Sequence, residues 1–178
     1  MISVDEAVKR ILKDLPLMPG ETVNIEKAVG RVLTEDVEAR LDQPPIPMSA
    51  MDGYAVRAED VVKVPVRLLR IGEAPAGIAF DGSVGPGETV RIFTGGPLPK
   101  GANAIVIQEN AEVEGQTIII RKSVQNGHYV RPKGLDFQTG DRGISKNRIL
   151  TPRDIGLAAA MNVPWLQVRR RPRIALLA

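Results

Sequence analysis

The chain has 178 residues, 43% of them apolar and 25% charged, with a net charge of +3 and no cysteine; this is the composition of an ordinary folded protein of one or two small domains. The absence of cysteine excludes a disulfide framework, a thiolate metal site and a cysteine nucleophile, and a single histidine, His128, excludes a His-rich metal centre. Aromatic residues make up only 3% of the chain, too few for a base-stacking RNA surface, so no nucleic-acid partner is expected.

No apolar run approaches the ~18–20 residues of a membrane span. The first fifteen residues, MISVDEAVKRILKDL, reach Asp5 and Glu6 at once and mix charge with apolar residues, which is not a signal peptide. A cytoplasmic protein without a membrane partner is the expectation. Charge is unevenly spread: residues 1–60 hold 7 basic and 12 acidic side chains, whereas residues 121–153 hold 8 basic and 2 acidic. The positive segment suits a small anion or a phosphate, or is a solvated lysine- and arginine-rich surface. Arg169, Arg170, Arg171 and Arg173 flank a proline between two apolar runs and read as an exposed linker.

In chain order, residues 3–15 are predicted helical: Ser3 and Glu6 make a capping-box pattern, and Val4, Ala7, Val8, Ile11, Leu12 and Leu15 fall on one face. Pro16, Pro19 and Gly20 stop this helix. A second, shorter helix is expected at 24–29, with Asn24 as cap and Gly30 as stop; residues 31–39 fit either extended chain or more helix. Asp42–Pro47 is a stiff connector, its three prolines disfavouring helix. Beyond it the texture becomes β-like: 64–71 alternates loosely, 88–93 is a short strand, and 102–108 and 117–124 are strong strands with 112–116 as their hairpin connection. Turn clusters at 72–77, 85–88 and 95–101 separate them, which suggests a small barrel or sandwich. Thr151 then caps a helix with Pro152 in its first turn and Asp154 facing its dipole, and 163–168 is a short strand with Trp165 read as a packing residue. The final Ile-Ala-Leu-Leu-Ala reads as a buried parallel strand, so a cut at the start of a following α/β domain is expected. Helices at both ends suggest that the two ends pack together around an inserted β module.

Three loops carry groups suited to chemistry, and each also has a plainer reading. In SAMDGYAVR (49–57), Gly53 lets the backbone approach a ligand closely, or simply serves a hairpin turn. In IFTGGPLPKG (92–101), Thr94, Lys100 and exposed N–H groups suit an oxyanion, or the segment is a turn between strands; the spacing of a Walker P-loop is absent. In VRPKGLDFQTGD (130–141), Asp136 suits Mg²⁺ and Arg131 or Lys133 a phosphate, or the loop holds internal ion pairs. His128 has no evident partner and reads as structural or exposed.

Taken together and in this order, PPIPMSAMDGYAVR (44–57), GEAPAG (72–77), RIFTGGPLPKGANAIVIQE (91–109), VRPKGLDFQTGD (130–141) and TPRDIGLAAAMNV (151–163) resemble the N-terminal half of the molybdopterin molybdenumtransferases, the family of MoeA and the gephyrin E domain. The resemblance covers essentially the whole chain. It implies an α+β fold: an elongated helical dimerisation domain from residues 1–45 and 142–172, an inserted β-rich, barrel-like domain at 46–141, and the start of a Rossmann-like domain at 173–178. It implies insertion of molybdate into adenylylated molybdopterin with Mg²⁺ and release of AMP, in a homodimer whose cleft lies between subunits. The molybdopterin adenylyltransferase is a further implied partner. Carried onto matching positions, Asp52 and Asp136 are the implied catalytic residues, either of them a possible Mg²⁺ ligand, and Thr94 and Arg131 the implied substrate-binding ones. The 178 residues alone are expected to be inactive. The alternative is a dimerisation scaffold without catalysis.

Overall fold

The computed structural model describes residues 2–13 and 15–177. In chain order its elements are helix α1 (Val4–Lys13), strands β1 (Gly20–Asn24), β2 (Val37–Glu38), β3 (Met48–Ser49), β4 (Gly53–Val56), β5 (Val66–Ala74), β6 (Glu88–Ile92), β7 (Ala104–Ile107), β8 (Ala111–Glu114), β9 (Thr117–Ile120), β10 (Val130–Arg131) and β11 (Arg142–Ile144), helix α2 (Pro152–Ala160) and strand β12 (Trp165–Arg169). The chain divides into two compact units, residues 1–40 with 139–178, and residues 41–138.

The first unit mixes helix and strand. β1 pairs antiparallel with β12, Gly20 opposite Arg169 and Asn24 opposite Trp165, and β2 pairs with β11. Leu33, Val37, Ile144, Leu150, Ala158, Met161, Leu166 and Val168 fill its core. Arg31 is only 8% exposed; it is ion-paired with Glu21 and donates to the Arg169 carbonyl at 2.6 Å, the pairing a buried cation requires. Helix α2 begins with a complete capping box: Thr151 and Asp154 exchange side-chain and backbone hydrogen bonds, with Pro152 in the first turn. Helix α1 has its Ser3–Glu6 cap bond at 3.2 Å, yet none of its residues is buried by the described chain.

Several expectations are corrected here. The 24–29 helix is reduced to a 3-10 turn at Ile25–Lys27, closed by Asn24 Oδ1 accepting from Glu26 N at 3.0 Å. Ile25 N donates instead to Pro164 O at 3.1 Å, so tertiary pairing overrides local propensity. Within 31–39, only Val37–Glu38 is a strand. Trp165 is 57% exposed: its neighbour Leu166 faces the core, and strand alternation turns the indole outward. Residues 173–177 form no strand, and Leu177 is fully exposed, because a parallel strand needs a neighbour to pair with and no described strand supplies one. The expectations for Asp14 and Ala178 lie outside the described residues. No helix of the described residues is long and apolar enough to cross a membrane.

The second unit is built on one six-stranded sheet in the order β7-β4-β6-β5-β9-β8, with β5 and β6 parallel and the other neighbours antiparallel. Both faces are covered. Tyr54, Val56, Leu68, Ala104, Val106, Ile118 and Ile120 form one core, and Ala55, Ala74, Val84, Val90, Ile92 and Ile105 the other. Alternation along β4 therefore feeds two cores, and every residue of that strand is buried. Side chains of β7 and β9, from well-separated positions in the sheet order, share one cluster, which requires the sheet to curl. The ladder nonetheless stays open at β7 and β8, so the sheet is curled rather than a closed barrel. Residues 111–114 are a strand in their own right, and only Gly115 and Gln116 make the hairpin turn to β9.

Candidate functional site

Asp52 stands immediately before β4 and Thr94 just after β6, two strands that pair with Gly53 opposite Ile92. Strand pairing thus brings together residues 42 positions apart. Asp52 Oδ1 accepts from Thr94 N at 2.7 Å and from Thr94 Oγ1 at 2.8 Å. These charge-assisted bonds, the backbone one first, hold the Asp52 carboxyl below the ordinary aspartate value, with Arg91 adding a smaller attraction. Asp52 Oδ2 takes no hydrogen bond from the described residues. The result is a half-buried carboxylate with one oxygen fixed and the other presented.

The turn that carries Asp52 is tightly held. Gln108 N donates to the Asp52 carbonyl at 3.1 Å. Gly53 lies so close to β7 that a Cβ there would sit 2.1 Å from Val106 O; only glycine fits. Arg91, opposite Tyr54 in the ladder, has its guanidinium 5.1 Å from the Tyr54 ring centre and 4.9 Å from that of Phe93.

Arg131 and Asp136 form a second pair. Arg131 Nη2 donates to both Asp136 oxygens, at 2.9 and 2.8 Å. Both side chains are 44% exposed, and such a pair contributes about 0–1 kcal/mol. Lys133 pairs with Asp42 at 3.0 Å. The loop is tied back by Asp136 N donating to Gln43 O at 2.8 Å and Gly134 N to Pro44 O at 2.9 Å, with Gly134 at φ +70°. Between the two pairs runs β3. Ser49 exchanges backbone bonds with Gly95 and Gly96 on one side, and β3 pairs with Val130–Arg131 on the other.

The four site residues implied by the sequence therefore form two pairs joined through β3, with no hydrogen bond or ion pair between the pairs among the described residues. Thr94 directs both its donors at Asp52, and Asp136 has both oxygens engaged by Arg131. His128 is exposed and stacks edge-on against Tyr129. No group of three or more acidic or histidine side chains among the described residues could hold a metal ion unaided. Mg²⁺ commonly takes one or two carboxylates with the rest of its shell from water and substrate phosphate, and the presented Oδ2 of Asp52 fits that need better than the occupied Asp136. Arg91 and Gln108 were not singled out in the sequence. The available signal is the position of Arg91, a cation between the apolar Val90 and Ile92 three residues before Thr94.

Residues 2–162 match the family described as MoeA N-terminal region (domain I and II), and the chain belongs to that family. It is 38% identical over 160 residues to a molybdopterin molybdenumtransferase of Nostoc sp., a match covering 88% of this chain and 37% of that protein. It is 33% identical over 181 residues to the molybdopterin molybdenumtransferase of Staphylococcus aureus, covering 99% of this chain and 43% of that one. Its fold superimposes on the crystal structure of the molybdopterin biosynthesis moeA protein from Pyrococcus horikoshii OT3 with a TM-score of 0.89 at 35% identity, covering 97% of this chain and 47% of the other. The chain thus spans less than half the length of the curated relatives it matches.

Proposed function

We propose that this chain serves molybdenum cofactor biosynthesis by supplying one wall of the site at which molybdate, as substrate, enters adenylylated molybdopterin and AMP is released. The observation that carries the reading is the Asp52–Thr94 pair, built at the ends of paired strands in a chain of this family. Thr94 fixes one oxygen of Asp52, and the other holds a water or a cation against the anionic substrate. Mg²⁺, when bound there, neutralises phosphate charge. Arg131, oriented by Asp136, presents a cation to a phosphate or to molybdate. In this reading the segments 1–45 and 142–172 serve dimerisation in a homodimer, and the elongated helical form of that domain belongs to the proposal, as does exchange of substrate with the adenylyltransferase. The remainder of the cleft comes from regions beyond those matched here, so the 178 residues alone are inactive.

The test is a chimera in which this chain replaces the matching segment of the Nostoc protein. Molybdenum insertion and AMP release are expected from the chimera, and Asp52→Ala should lower both by about 100-fold, the scale of a reacting group left out of position. Unchanged turnover in that variant refutes the role of Asp52. A scaffold reading is favoured by one observation: α1 leaves Val4, Val8, Ile11 and Leu12 exposed on one face, as an association surface would. Sedimentation of the 178-residue chain tests it, a dimer without pterin affinity supporting the scaffold and a monomer counting against it.

A further inference from the structure

We propose that Arg91 is a positioning residue for the Asp52–Thr94 pair, a clamp that fixes three strand ends beneath the presented carboxylate oxygen. The inference rests on reading Asp52 and Thr94 as the working pair, but its physical content stands on contacts of its own. Arg91 Nη2 donates to Gln108 Oε1 at 2.6 Å, and Nη1 to Gly53 O at 3.3 Å. Each of the segments it touches carries part of the site. Gly53 and Tyr54 directly follow Asp52, Phe93 directly precedes Thr94, and the backbone of Gln108 holds the Asp52 carbonyl. The guanidinium lies against both Tyr54 and Phe93. One side chain thus ties the start of β4, the end of β6 and the end of β7.

Two features set this arginine apart from the others in the sheet. Arg67 and Arg70 in β5 and Arg121 after β9 are spent on ion pairs with Glu114, Glu73 and Glu112. Arg91 has no carboxylate within 4.0 Å among the described residues, so no ion pair fixes its position, and its attraction on Asp52 is the smaller one already described. Its contacts are also those that lysine cannot reproduce, since they use two nitrogens of a planar fork and a flat cation beside rings. The neighbours Val90 and Ile92 point into the opposite core, which leaves Arg91 alone at this end of β6 to reach across to β4 and β7.

The experiment uses the 178-residue chain and the amide proton resonance of Thr94, which reports its hydrogen bond to Asp52. Asp52→Ala sets the position of the broken bond. Arg91→Gln is expected to move the resonance at least half of the way to that position, while amide exchange at Ile118 and Ile120 in the core stays within twofold of wild type. Arg91→Lys, which keeps the charge but not the fork, should fall between the two. Gln108→Leu, which removes the acceptor of Nη2 together with an exposed 3.5 Å bond to Glu109 and keeps the backbone bond to Asp52, should displace the resonance in the same direction and supplies the test if Arg91→Gln fails to fold. A wild-type Thr94 resonance in the folded variants overturns the proposal. So does a displacement that appears only with equally accelerated exchange at Ile118 and Ile120, because Arg91 would then support the sheet rather than the pair. Full activity of the Asp52→Ala chimera beside a displaced Thr94 resonance in Arg91→Gln would leave the clamp standing and overturn the function assigned to the pair.

Discussion

Gly53→Ala is the substitution whose consequence can be worked most directly from the contacts. The added methyl would lie 2.1 Å from Val106 O and 2.9 Å from both Val106 C and Ile107 Cα. All three are backbone atoms of β7, so no rotamer change relieves the clash; β4 must move away from β7 by about an ångström, weakening a ladder that pairs Gly53 through Val56 with Ile107 through Ala104. Overpacking of this kind costs about 1–3 kcal/mol, and loosening one or two ladder hydrogen bonds adds about 1 kcal/mol. The sum, about 2–4 kcal/mol, corresponds to roughly 30- to 700-fold faster exchange of amides that open only by global unfolding of the unit. Hydrogen exchange at Ile118 and Ile120, buried in β9 of the same unit, is the assay, with Leu166 and Val168 of the other unit as the internal comparison. Unchanged exchange at Ile118 and Ile120 would refute the close approach of β4 to β7.

The first unit offers a contrasting pair. Thr151→Ala removes the capping box of α2 and should cost about 1 kcal/mol, whereas Gly156→Ala, where a Cβ meets nothing within 4 Å, should stabilise by about 0.5–1 kcal/mol; urea midpoints followed by Trp165, the sole tryptophan, should move in opposite directions. Asp36 and Asp154 are both held below the ordinary aspartate value of 3.8, Asp36 chiefly by the Lys146 N–H and Asp154 chiefly by the Thr151 hydroxyl. The unfolded chain therefore binds these protons first as pH falls, so their contribution is complete above the unfolded value and is lost as pH drops through the depressed folded values. Urea midpoints of the first unit should fall below about pH 4, and Asp36→Asn together with Asp154→Asn should flatten that fall; an undiminished slope in the double variant would count against both assignments.

Local signals made much of the chain readable. The Ser3–Glu6 cap and the 3–4 spacing that follows mark α1, Thr151-Pro152 marks α2, and β-branched runs mark β6 and β9. Three pairings had no such signal. β1 with β12, β2 with β11 and β3 with β10 join segments 80 or more positions apart, and strands of two residues are too short to show a period. Where local and distant preferences competed, as at 24–29, the distant partner won. The site was legible as a set of residues but not as an arrangement. Arg131 and Asp136, five positions apart in one loop, invite an ion-pair reading, whereas the bond between Asp52 and Thr94 depends on strand register. Arg91 carries no local mark of its role, because a single arginine in a strand ordinarily signals a solvated face.

The strand of two residues, Met48–Ser49, has a consequence out of proportion to its length. It is threaded between the 95–97 loop and the 130–131 strand, and Asp52 follows Ser49 by three residues, with the Ser49 hydroxyl turned back onto Met51 O at 2.5 Å. Both carboxylate-bearing loops are thereby measured from one common origin. A residue inserted between Met51 and Asp52 would leave the strand bonds of Met48 and Ser49 in place and still carry the carboxylate past Thr94, so chain length across this short span is a stricter constraint on the site than the identity of the side chains within it.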